Sequence, residues 1–156
     1  MTSPTFRPFA SQQDRTEVEE GNSFQPKFDA SGLIPAIVTN VHNGQVLMFA
    51  WMNDVALDMT LCSGEAHFWS RSRRKIWRKG EESGNVLAVH QIRTDCDQDV
   101  IWLTAEVLGH GIACHTNRVS CFYRSLEVDH KANRIELKRD VDGSIEDTSP
   151  HPGRNR

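Results

Sequence analysis

No stretch of the 156-residue chain is a long hydrophobic run, and none approaches the ~18 apolar residues of a membrane-spanning helix. Its first residues, MTSPTFRPFASQQDRTEVEE, hold no apolar core of a secretory signal, and Asp14, Glu17, Glu19 and Glu20 make them too acidic for a transit peptide. A basic excess is missing as well. The net charge is −3, which argues against a general nucleic-acid or membrane-surface binder. These absences lead to the expectation of a cytoplasmic protein, with no nucleic acid and no membrane among its partners. Thiols stay reduced in that compartment, so its four cysteines read as metal ligands or catalytic groups before they read as bridges.

Residues 1–25 are polar, carry two prolines and show no apolar period, so a mobile N-terminal arm is expected there. Residues 140–156 have the same character and are expected to form a mobile C-terminal tail. Between them, 26–139 read as a single domain without linker or repeat. The apolar stretches 34–41 and 45–51 flank Asn43-Gly44, the dipeptide that a type I′ hairpin turn prefers. Asn53 caps a short helix, with Val55, Met59 and Cys62 on one stripe and Gly64 past its end. Cys62 then reads as a core residue. Residues 66–72, 75–78, 86–94, 99–107 and 119–126 read as strands. One or two short helices among many strands predict a strand-rich α+β fold.

The densest chemical signal is Asp95-Cys96-Asp97-Gln98-Asp99. Three carboxylates so close repel one another unless a cation joins them. An EF-hand calcium loop needs glycine at its sixth position, where this chain has Val100, and that reading fails. If the segment is extended, its period of two places Asp95, Asp97 and Asp99 on one face and Cys96 on the other. Hard carboxylates suit magnesium and a soft thiolate suits zinc. Two different metals on opposite sides are then expected, the plainer alternative being a solvated acidic turn with a buried cysteine.

Cys114 and Cys121 add two thiols, separated by more residues than the two to four of a closed structural zinc site. With Cys96 they make a three-ligand set that leaves a fourth position for water. His115 is the candidate general base, against the alternative of a hydrogen-bonded turn residue. The basic stretch from Ser70 to Gly84 interleaves Arg71, Arg73, Arg74, Lys75, Arg78 and Lys79 with Trp77. It could bind nucleic acid, hold a small substrate with several phosphates, or be a charged edge strand. The acidic balance elsewhere favours the small substrate.

Together, Gly-Leu-Ile-Pro-Ala (32–36), Val-Leu-Met-Phe-Ala-Trp-Met-Asn (46–53), Trp-Ser-Arg-Ser-Arg (69–73), Trp-Arg-Lys-Gly-Glu-Glu-Ser-Gly (77–84), Asp-Cys-Asp-Gln-Asp (95–99), Ala-Cys-His-Thr (113–116) and Ser-Cys-Phe-Tyr-Arg (120–124) resemble the phosphoribosyl-AMP cyclohydrolase family. The resemblance covers residues 30–127. It implies zinc-dependent hydrolytic opening of the N1–C6 bond of 1-(5-phosphoribosyl)-AMP, giving phosphoribosylformimino-aminoimidazole carboxamide ribotide in the third step of histidine biosynthesis.

It also implies an intertwined, obligate homodimer. Zinc would be held by Cys96, Cys114 and Cys121, with Cys96 supplied by the opposite subunit, and magnesium by Asp95, Asp97 and Asp99. On this reading His115 accepts the proton of the attacking water, while Arg71, Arg73 and Lys79, with Ser70 and Ser72, hold phosphate oxygens. Asn117 stands where the family often has glycine, and Asn tolerates a positive φ better than most residues. A zinc nucleobase deaminase would share the water chemistry, but its H-x-E and P-C-x-x-C signatures are missing. A zinc module binding RNA would call for closed four-ligand spacing, which is also missing.

Overall fold

The structure, a computed structural model, describes residues 5–140. Helix α1 (Arg15–Glu20) precedes β1 (Ile34–Asn40), β2 (Val46–Met52), α2 (Asp54–Ser63), β3 (His67–Ser70), β4 (Lys75–Arg78), β5 (Leu87–Thr94) and β6 (Ile101–Val107). A hairpin of β7 (Arg124–Asp129) and β8 (Arg134–Arg139) follows. The first six strands form one sheet in the order β4-β3-β2-β1-β6-β5, with β1 and β6 parallel and all other neighbours antiparallel. The fold is therefore α+β and strand-rich, with two short helices among the described residues.

Alternation in the strands decides which face is covered. Ile34, Ala36 and Val38 of β1, and Ile101, Leu103 and Ala105 of β6, are fully buried beside Leu47, Phe68 and Leu87. Burial of each large side chain contributes on the order of 2 kcal/mol. On the opposite face, Ile37 pairs with Phe49 of β2 and with Trp102 of β6, and all three remain exposed.

Helix α2 closes the covered face. Asn53 accepts from the Ala56 N–H at 2.8 Å, and Gly64, at φ 72°, ends the helix by donating to Thr60 O. The predicted stripe is the wrong one: Ala56, Leu57 and Thr60 face the core, whereas Met59 and Cys62 are exposed. The polar Thr60 can sit inside because its hydroxyl donates to Ala56 O and accepts from His67 N, both at 2.9 Å. Cys62 is thus no core residue; its thiol faces Asp58.

Three further expectations change. Only Gly44 of Asn43-Gly44 takes a positive φ, and the strands stop at Asn40 and resume at Val46. The connection is a wider loop, closed by Gly44 N–H to Asn40 O and Asn40 N–H to Gln45 O. Residues 119–123 are not a strand, because Ser120 and Cys121 bond Val46 O and Leu47 O and hold the segment across the start of β2. Extended pairing begins at Arg124, with β8 as an unexpected partner.

The described part of the expected N-terminal arm, 5–25, lies on the domain. Arg7 pairs with Asp54 at 2.7 Å, Phe9 packs on Phe24 and Phe28, and Val18 of α1 is buried. Polar bonds and an aromatic cluster hold it, neither of which shows a period in sequence. In the expected C-terminal tail, Asp140 donates its N–H to Tyr123 O, and the rest lies outside the described residues.

Candidate active site

Cys114 opens a tight turn in which Asn117 N–H donates to Cys114 O and Cys114 N–H donates to Arg118 O. Asn117 takes φ 61°, the conformation expected of a residue that replaces glycine. The turn folds the Thr116 hydroxyl onto the Cys114 sulfur at 2.9 Å. The bond from Cys121 N–H to Leu47 O brings the second thiol within hydrogen-bonding reach of the first.

The two thiols differ in character. Burial raises the Cys114 thiol, but hydrogen bonds from the Thr116 hydroxyl and backbone outweigh it, and the net effect is a lowered value. Cys121 is exposed as a residue, but its sulfur is crowded away from water. That burial, with the adjacent Cys114 sulfur, pushes it up to about 11. Lys79 opposes the shift, and burial in turn lowers its own ammonium. Two soft donors side by side, one short of a compensating cation, are a donor set that fits zinc.

A cavity of about 380 Å³ opens beside this pair. Cys114, His115 and Asn117 line one wall; Arg73, Trp77, Lys79 and the 80–83 turn line another. Lys79 follows β4 and donates its N–H to Ala66 O, and Gly84 N–H then closes on Gly80 O. Gly80 takes φ 84°, and a Cβ there would run into the backbone of Asn85 and Val86. Of the expected phosphate ligands, Arg73 and Lys79 reach this cavity. Arg71 instead lies over the Trp51 ring at 5.2 Å, and Ser70 accepts from Arg73. Neither Ser70 nor Ser72 lines the cavity. Asn85, whose Oδ1 accepts from His110 N–H, is a wall residue that sequence reasoning missed.

The acidic motif is a turn, which corrects the extended reading. Gln98 takes φ 58° and donates its N–H to Asp95 O, while Asp95 Oδ1 accepts from the N–H groups of Asp99 and Val100. The turn, and not strand alternation, gathers Asp95, Asp97 and Asp99 so that a carboxylate oxygen of each lies within 4.8 Å of the others. Asp95 is lowered because those N–H bonds outweigh burial; Asp99 is raised by burial and its acidic neighbours. Converging hard oxygens fit magnesium.

Cys96 is exposed on the same turn and lines a separate cavity of about 430 Å³ with Arg15, Lys27 and Asp97. Among the described residues, the three aspartates are the only group of three or more potential metal ligands that converge, so one chain does not bring Cys96 to Cys114 and Cys121.

Residues 48–123, which carry every motif of this site, match the family model of phosphoribosyl-AMP cyclohydrolase. A Sinorhizobium medicae protein of that name is 53% identical over 128 residues, covering 82% of this chain and 85% of the relative. Proteins of the same name from Brucella anthropi and Brucella canis are 54% and 56% identical, over 78% and 75% of this chain and 86% and 84% of their own lengths. The family-model match takes in the thiol pair, the basic cavity and the acidic turn together, and with relatives this similar over three quarters of the chain or more it places the chain in the phosphoribosyl-AMP cyclohydrolase family.

Proposed function

We propose that the chain hydrolyses 1-(5-phosphoribosyl)-AMP at N1–C6, as a metal-dependent cytoplasmic enzyme of histidine biosynthesis. The observation that carries this reading is the cavity lined by Cys114, the thiol paired with Cys121, and by His115, Arg73 and Lys79. A nucleotide with phosphates at both ends needs cations around a reacting centre, and this cavity supplies both.

Zinc would be held by Cys114 and Cys121 with the partner subunit's Cys96, supplying a Lewis acid and an ionisable water. His115 takes the proton of the attacking water as the new bond forms to C6 and delivers it to N1 as the C6–N1 bond breaks. The amine already on C6 stays, so the product carries a carboxamide on the imidazole. Arg73 and Lys79 hold phosphate oxygens, and the narrow 80–84 turn fixes the wall against which the substrate lies. Asp95, Asp97 and Asp99 would hold magnesium, whose preference for hard oxygen ligands their converging carboxylates meet.

A homodimer supports this arrangement. Cys96 stands apart from the other two thiols within one chain. The exposed row of Phe49, Ile37 and Trp102 is an apolar surface that a second copy would cover, and so is the hairpin face of Leu126, Val128, Ile135 and Leu137. The test is incubation of purified protein with phosphoribosyl-AMP, with and without a zinc chelator, followed by ultraviolet absorbance. Turnover that the chelator abolishes supports the reading; no turnover by metal-replete protein contradicts it.

A further inference from the structure

We propose that Gln98 is a positioning residue: its buried side chain latches the acidic turn to the N-terminal segment 12–27 and so fixes Asp95, Asp97 and Asp99 for one divalent cation. The inference rests on the magnesium reading above. Gln98 is only 5% exposed although its neighbours Asp97 and Asp99 are more open. It accepts from Gln25 N–H at 2.7 Å through Oε1, and its Nε2 donates to Val18 O at 3.0 Å and Ser23 O at 3.2 Å. Its own carbonyl accepts from Lys27 N–H at 2.7 Å. From the same segment, Gln12 Nε2 donates to Asp97 O at 2.8 Å and to Gln25 O at 2.9 Å.

The conformation needs such a latch. A non-glycine residue at φ 58° is disfavoured, and the turn also crowds three like charges together. Without the cation both effects favour opening the turn. The side-chain bonds of Gln98 to Val18, Ser23 and Gln25 oppose that opening, and Gln12 restrains the Asp97 carbonyl directly. Segment 12–27 lies outside residues 48–123, the part of the chain that the family model matches, whereas Gln98 lies within it.

The test is manganese binding to the full-length protein, read from loss of the free-ion electron paramagnetic resonance signal. Asp97→Asn serves as the reference for the triad. Gln98→Gly tolerates the positive φ but removes the latch, Gln98→Glu keeps the acceptor and loses the donors, and Gln12→Ala removes only the restraint on Asp97. Gln98→Gly is expected to weaken manganese binding about tenfold to a hundredfold in protein that remains folded, with smaller losses in the other two. Wild-type affinity in folded Gln98→Gly overturns the latch; should that variant not fold, wild-type affinity in both Gln98→Glu and Gln12→Ala overturns it. A wild-type chain that binds no manganese at the triad defeats the magnesium reading first, and the latch with it.

Discussion

The hydroxyl of Thr116 lies 2.9 Å from the sulfur of Cys114, held there by a turn whose αL residue is Asn117. A hydroxyl donating to a thiolate stabilises the charged form that binds metal. Thr116→Val is expected to lower zinc affinity by about tenfold, while Thr116→Ser keeps it. Competition with a chromogenic chelator measures both, and equal affinity of all three proteins would remove Thr116 from this role.

On the open face of the sheet, Ile37 lies between Phe49 and Trp102. Ile37→Asp puts a charge at the centre of the surface assigned to the second copy. The variant should sediment as a monomer and lose zinc with the dimer. A wild-type sedimentation profile would mean that subunits meet elsewhere.

Gly80 stands at φ 84° against the backbone of Asn85 and Val86. Gly80→Ala should cost at least about 1 kcal/mol and open the cavity wall, so that KM for the nucleotide rises. Steady-state kinetics beside urea unfolding measure both effects; an unchanged KM would show that the turn does not touch substrate.

Leu103 is fully buried at the centre of β6. Leu103→Ala should destabilise the chain by about 2–5 kcal/mol, read from the urea midpoint. A loss below 1 kcal/mol would contradict a close-packed inner face.

Much of the site was legible because its chemistry lies in short motifs. Cys114, His115 and Cys121 are close in sequence, and the positive φ expected at Asn117 was found. The aspartates also gather as expected, but through a turn with Gln98 in αL where alternation had been assumed. Period-based reading failed where polar atoms are satisfied inside: Thr60 faces the core through two hydrogen bonds, and the stripe with Cys62 faces out. Strand β8 is weakly marked in sequence because only Ile135 and Leu137 alternate with its charged residues, too short an apolar pattern to stand out, and they pair with Val128 and Leu126. The bonds that join Gln12 to Asp97 and Gln98 to the N-terminal segment were illegible for a different reason: neutral amides joined across 73 to 85 residues leave no pattern in the chain.

The measurement that tests the account most directly mixes two inactive variants, Cys96→Ala and Cys114→Ala, refolded together at equal amounts. If the thiol site is completed across the subunit interface, half of the dimers are mixed and each carries one intact site. Ring opening of phosphoribosyl-AMP should then return to about a quarter of the wild-type rate. A mixture as inactive as either variant alone would contradict a site shared between two chains.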